Sequence, residues 1–323
     1  MIIVFLKNFN WINNFSIKFE HKHKFKSYMK PKIFFLVLIL FSCSSESDSD
    51  QDNNNGGNNN SENNLLVSEI ITSDSEIDMY EYTERFFYDD GDGLDGNKLT
   101  STRSSYVYDG GEPQETSYSN YIYTNGKITR VLIYSSYNED LTDDITFDYD
   151  NNGRLISVEE CYYFLNGVCQ GFSNTEFSYS NNNQTITEEF EEHDEYGSYN
   201  STVIWQLDNQ GNISSGSATW EETYEGVTEN GSGAASFQYD NKNSPFKNIA
   251  GMNAMILRHL DWASEGFYQM HYSAFNNITG STFSTTSTCV GTFSYDYNNF
   301  DYPRQFGSTS CEGYTVNGII NYY

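Results

Sequence analysis

The feature that most constrains this chain is an alternation of period two that runs through most of its length. Stretches such as "SYVYDG", "NYIYTNGKITRVLIYSS", "ITFDYDNNGRLISVEECYYF" and "TEFSYSNNNQTITEEFEE" place aromatic or β-branched residues at every second position. Asn-Gly, Asp-Gly and Asn-Asn pairs interrupt them. Alternation broken by such pairs is the signature of antiparallel hairpins, because side chains of a strand point to opposite faces and the turn residues tolerate positive φ. Only four prolines occur in 323 residues, so few strands are broken.

The hairpins repeat. A frame of aromatic, any residue, large apolar and then Asp, Thr or Ser begins at Tyr121, Phe147, Phe177, Trp205, Phe237 and Phe293, with earlier copies at Phe86 and Tyr106. From Tyr121 the step is about 30 residues, the length of two strands with their connections. The last step is about twice as long. The predicted fold is all-β: a large antiparallel up-and-down meander over residues 65–323, curled or barrel-like. "NIAGMNAMILRHLDW" interrupts it, with Ile249, Met252, Met255, Ile256 and Leu260 at helical spacing. It predicts one short inserted helix near 248–260, docked over an open end or edge of the sheet.

These frames resemble YD repeats, the Y-D-x-x-G-x-L hairpin units of Rhs-type shells. With "YDNKNSPFKNI" (Tyr239–Ile249) they also resemble a group of Bacteroidota surface lipoproteins that carry a porin-like β domain of unknown function. The resemblance spans most of residues 80–323. It implies a meander that curls or closes, and no catalytic residue.

The N-terminal part reads as an address. "MKPKIFFLVLILFSC" (Met29–Cys43) has a short basic start, an apolar run too short to span a bilayer, a small residue and a cysteine. This is the order of a lipoprotein signal peptide, with the lipid on Cys43. Residues 1–28 are then an over-extended start, 29–42 the signal peptide and 43–64 an Asn/Ser/Asp tether. From Ser44 to Asn64 the tether holds no apolar residue with which to build a core. Its acidic start resembles the export signal of surface lipoproteins. The expected location is the outer membrane, lipid-anchored and facing the cell exterior, with the lipid as the contact to the membrane.

Removing residues 1–42 takes away seven lysines and one glutamate, so the net charge of −28 becomes −34. A chain this acidic is repelled by phosphate backbones, which excludes nucleic acid as a partner. Besides Cys43, four cysteines form two local pairs, and an even count in an exported chain predicts the disulfides Cys161–Cys169 and Cys289–Cys311. Neither pair has the C-x2-C spacing of a zinc site.

Two stretches suggest Ca2+. "DYDNNGRLISVE" (Asp148–Glu159) fits the EF-hand loop pattern, but its flanks have strand period and its frame recurs where the ligands do not. It reads as a hairpin turn. "YDDGDGLDGNKL" crowds Asp89, Asp90, Asp92, Asp95 and Asn97 into one loop and is the better candidate, against a solvated acidic turn. No other cofactor is implied. "EEFEEHDEYG" puts carboxylates around His193 and reads as a charged, solvent-facing strand edge. No nucleophile motif, zinc motif or phosphate loop occurs. The sequence therefore favours a non-catalytic binding or structural role toward a glycan, a peptide or an outer-membrane partner. The alternative is a hydrolase built on scattered carboxylates. Exposed clusters of Tyr and Trp on a concave face would favour the first, and two convergent acids in a cleft the second.

Overall fold

The computed structural model describes residues 65–74, 80–89, 96–108, 110–165, 167–193, 197–224, 226–251, 275–309 and 315–323. All belong to one compact unit. The expected leader, Cys43 and the tether lie outside the described residues.

Sixteen strands follow one another: β1 (Val67–Asp74), β2 (Tyr80–Tyr88), β3 (Leu99–Tyr108), β4 (Gln114–Thr124), β5 (Lys127–Ser135), β6 (Leu141–Tyr149), β7 (Leu155–Leu165) and β8 (Val168–Ser180) make the first half. β9 (Thr185–His193), β10 (Gly197–Leu207), β11 (Ile213–Tyr224), β12 (Val227–Tyr239), β13 (Ile278–Ser284), β14 (Thr288–Tyr297), β15 (Pro303–Thr309) and β16 (Thr315–Tyr322) make the second. Each pairs antiparallel with its neighbours, and β1 pairs with β16, so the meander closes into a barrel without a free edge. The all-β, barrel-like expectation holds. Turns from even to odd strands, together with Leu65 and Tyr323, lie at one end, the near end. Turns from odd to even strands form the far end.

Side chains alternate between a buried inner face and an outer face that carries many polar groups beside the exposed Ile122, Ile156, Ile204 and Ile319. On β6, Asp143, Ile145 and Phe147 are buried while Thr146 and Asp148 are exposed. On β9, Ile186, Glu188, Phe190 and Glu192 are buried and Glu189, Glu191 and His193 are exposed. Ion pairs stitch neighbouring strands across the outer wall: Arg85–Glu69 at 3.0 Å, Arg103–Glu115 at 3.2 Å, Arg130–Asp144 at 2.7 Å and Arg304–Asp296 at 3.3 Å. Exposed pairs of this kind contribute about 0–1 kcal/mol each, so they add little to stability. β9 is bonded on both sides, so the charged run around His193 lies on an internal strand and not on the expected edge, with Glu189, Glu191 and His193 outside and Glu188 and Glu192 inside. Closure leaves no edge for charge to protect.

The repeated frame is a latch with a cap. Tyr88, Tyr149, Tyr179, Tyr239, Tyr295 and Tyr322 sit at or near the near-end terminus of an even strand. Each hydroxyl donates to a carbonyl at the start of the preceding odd strand, at 2.6–2.9 Å: Val67, Ile128, Leu155, Ile213, Ile278 and Pro303 in turn. The ring fills the interior and the hydroxyl satisfies a backbone acceptor that would otherwise be stranded there. The following acid caps the turn. Asp150 Oδ1 accepts from the Asn152 and Arg154 N–H groups, and Asp208 Oδ1 from those of Gln210 and Asn212. Other copies depart from this pattern: Tyr123 donates to Ala250 O, Leu207 stands at the latch position after Trp205, and Ser180 follows Tyr179 in place of an acid. After Phe293 the cap is Asn298, bonded by the N–H groups of Phe300 and Tyr302, and Asp296 points outward to Arg304. The copy at Tyr106 ends β3 at the far end, so its likeness to the others is only alternation.

The EF-like stretch is one of these capped turns. Asp148 and Glu159 are exposed on the outer wall, opposite Ser157 and Thr146. The Asp150 carboxylate is engaged by two N–H groups and by the Arg154 guanidinium at 2.6–2.7 Å. Burial raises its pKa, but those donors prevail and hold it below the usual range. Replacing Asp148 by Asn and Glu159 by Gln is expected to leave calcium affinity unchanged in calorimetric titration. A micromolar site lost in that variant would contradict the hairpin reading. Gly153 has φ +81°, so Gly153→Val should cost about 1 kcal/mol or more in denaturant unfolding.

Inside, large rings lie on glycines of the next strand: Tyr162 over Gly171, Trp205 over Gly216, Trp220 over Gly231 and Phe306 over Gly318. A Cβ at any of the four would overlap the ring. The near end is crossed by Asp240–Gly251. Phe246 is buried and packs on Phe86 at 5.7 Å, and Asn248 Nδ2 donates to Leu65 O and Tyr302 Oη. The Ala250 N–H donates to Asn97 O, and Tyr123 Oη donates to Ala250 O. Of the helix expected near 248–260, Asn248–Gly251 carry no helix, and residues 252–260 lie outside the described residues.

Candidate functional site

The two halves of the interior differ. Near the crossed end, inward residues such as Phe86, Phe147, Phe177, Trp205, Phe237 and Phe293 are buried. Toward the far end, the inward Tyr82, Glu84, Tyr162, Tyr199, Trp220 and Glu222 are only half-buried. Strand register aligns carboxylates there that are far apart in sequence. Glu160 faces Ser173, Ser173 faces Glu192, Glu192 faces Tyr199, Tyr199 faces Glu222, and Glu222 faces Glu229. Tyr162 Oη donates to Glu192 Oε1 at 2.6 Å, and Ser173 Oγ donates to Glu160 Oε2 at 3.5 Å. Deeper in, the Trp205 Nε1–H donates to Glu188 Oε2 at 2.7 Å.

No described lysine or arginine faces this row. Arg85, Arg103, Arg130 and Arg304 are on the outer wall, and Lys98, Lys127, Arg154, Lys242 and Lys247 are at the near end. Lys127 and Arg154 lie over the latch rings of Tyr149 and Tyr179, at 4.9 and 4.8 Å. The far-end interior is therefore an acidic, aromatic concavity. It can hold a ligand that offers positive charge, hydroxyls or a flat apolar face.

The carboxyl of Glu84, inward on β2, is strongly perturbed. Burial raises its pKa to about 7, against the opposing effect of a hydrogen bond from Thr102. Burial and then the Glu84 charge push the neighbouring Tyr82 phenol up, against a hydrogen bond to Ser104. With a folded pKa above its ordinary value of 4.5, Glu84 binds its proton more tightly in the folded state. Its contribution is thus most favourable below about pH 4.5 and is lost as pH rises through about 7. Glu84→Gln is expected to stabilise the barrel by about 1–3 kcal/mol at pH 8 and to change little at pH 4, measured by urea unfolding at both.

The structure places the sequence candidates as follows. Asp89 and Asn97 flank the β2–β3 turn; Asp90, Asp92 and Asp95 lie outside the described residues. Among the described residues no group of three His, Cys, Asp or Glu is arranged to hold a metal. Cys161 and Cys169 form a disulfide across the β7–β8 hairpin, with Cα atoms 5.8 Å apart. Cys289 is disulfide-bonded, and Cys311 lies outside the described residues. The sequence reading missed Glu84, Glu160 and Glu222 entirely. The signal was present, since Glu160, Glu192 and Glu222 each follow an inward Val158, Phe190 or Trp220 by two residues.

No family model matches the chain, and no curated protein does. The architecture does have relatives. The barrel is similar to a porin-like protein from Bacteroides vulgatus, with a TM-score of 0.50 and 11% identity over 80% of this chain and 99% of that one. A porin-like protein from Bacteroides uniformis matches with a TM-score of 0.46 and 13% identity, over 80% of this chain and 98% of that one. The chain shares a fold with porin-like proteins. Its outer wall differs from that of a membrane-spanning barrel, which turns an apolar band about 25 Å tall toward lipid. Here outward positions carry Thr146, Asp148, Glu176, Glu189, Thr219, Gln238 and Asn317, all exposed, beside the exposed apolar Ile122, Ile156, Ile204 and Ile319.

Proposed function

We propose that this protein is a lipid-anchored barrel of the outer membrane that stands in water and binds a ligand in its far-end concavity, without catalysing a reaction. The observation that carries the reading is the pairing of a polar outer wall with an interior that is packed at the near end and acidic, aromatic and half-exposed at the far end. The order of residues 29–43 supports lipid on Cys43. Leu65 is bonded into the near end, so the tether joins the barrel on the side away from the concavity. A β2–β3 calcium site and a Cys289–Cys311 bridge remain part of this proposal. Cation binding and non-reducing peptide mapping test them. The hydrolase alternative has less support, because Glu160 and Glu192 are buried among hydrogen-bonding neighbours.

Trp220 reports on the concavity. Peptide and oligosaccharide panels titrated while tryptophan fluorescence is followed should give at least one class that perturbs the signal, and the response should vanish in Trp220→Phe. A response that survives in Trp220→Phe, or none from either panel, overturns the binding reading.

A further inference from the structure

We infer that the far end docks a basic peptide segment of a partner protein, one that alternates cationic with apolar side chains. The inference rests on the far end being the binding end. Two independent features of that end support it.

The first is its rim. Four far-end hairpins each raise an apolar residue into solvent: Tyr108 is 49% exposed, Tyr137 80%, Val168 60% and Val227 63%. Single exposed apolar residues need no explanation, but these are among the most exposed large apolar side chains of the described residues and all lie on one rim. The Cys161–Cys169 bridge closes the hairpin that carries Val168, so that contact is held in place before anything binds.

The second is charge. Glu112, Glu139, Asp140 and Glu229 stand exposed on the same hairpins, and the half-buried Glu222 continues the acid inward. No described residue of a far-end turn is a lysine or arginine, and Arg103, on β3, is paired with Glu115 on the outer wall. An apolar rim around an acidic concavity complements a segment that sets cations inward and apolar groups on the rim. A neutral glycan would use the inward rings of Tyr199 and Trp220 but would leave the rim and the carboxylates unmatched.

The test is calorimetric titration of the full-length protein with a synthetic decapeptide of alternating lysine and phenylalanine. The controls are the glutamate–phenylalanine counterpart and a neutral glucose hexasaccharide. The lysine peptide is expected to bind, and to bind at least about tenfold more weakly to the Tyr137→Ser, Val227→Ser double variant. Salt raised from roughly 50 to roughly 500 mM should weaken it further. Both substitutions are at exposed sites, and circular dichroism confirms that the variant is folded. Equal binding of the glutamate peptide, or an unchanged affinity in the double variant, overturns the inference. Hexasaccharide binding without lysine-peptide binding overturns it too, yet leaves the ligand-binding reading standing. Silence from all three probes removes the inference; the panels followed through Trp220 then judge the broader reading separately.

Discussion

Replacing Trp205 by alanine is expected to cost about 3–5 kcal/mol in denaturant unfolding, the largest single effect in the barrel. The indole is fully buried, lies on Gly216 and donates to Glu188, which is itself fully buried. Truncation opens a cavity and removes a hydrogen bond to a buried carboxylate, and both effects have the same sign. Gly216→Val should approach the same loss from the other side, at about 3 kcal/mol, because its Cβ would take the space of the ring. The two losses should not add in the double variant, since one contact is broken twice. Additive losses would mean that the ring and the glycine stabilise the barrel independently.

Phe246→Ala is expected to cost about 3–4 kcal/mol. Phe246 holds the crossing segment into the near end against Phe86, and the segment bonds to Leu65, Asn97 and Tyr302 around it. Loss of the ring should also loosen those bonds. Hydrogen exchange should then rise at Ala250, whose N–H is bonded to Asn97 O, while the far-end strand amides stay protected. Stability lost without faster exchange at Ala250 would mean that the segment stays docked by its polar contacts alone.

The parts of the fold that were legible in the sequence are those fixed by neighbours along the chain. Phe147, Tyr149 and Asp150 announce an inward ring, a latch and a cap within four residues, so the hairpins and their turns could be read directly. The EF-like stretch could be dismissed for the same reason. Closure could not be read, because pairing of Ile70 with Ile320 joins residues from opposite ends of the chain. Nor could the role of Gly171, Gly216, Gly231 and Gly318, which depends on the ring across the strand pair and not on local conformation. The break in pattern after Asp240 was visible, but "NKNSPFKN" crosses the near end as irregular backbone, held by side-chain bonds that leave no periodic mark. The acid row is a product of register. Glu160, Glu192 and Glu222 lie about 30 residues apart, and only the pairing of β7 through β11 turns them into neighbours.

This account makes the barrel a water-facing body on a lipid tether, and one measurement bears on that most directly. The Cys43→Ala variant, folded and without detergent, is mixed with phospholipid vesicles and centrifuged through a density gradient. It is expected to stay with the soluble fraction as a folded β protein, because the outer wall sets charged and polar groups such as Asp148, Glu176 and Glu189 beside its exposed isoleucines. Flotation of the folded variant with the vesicles would contradict the account and make the wall a membrane-spanning one.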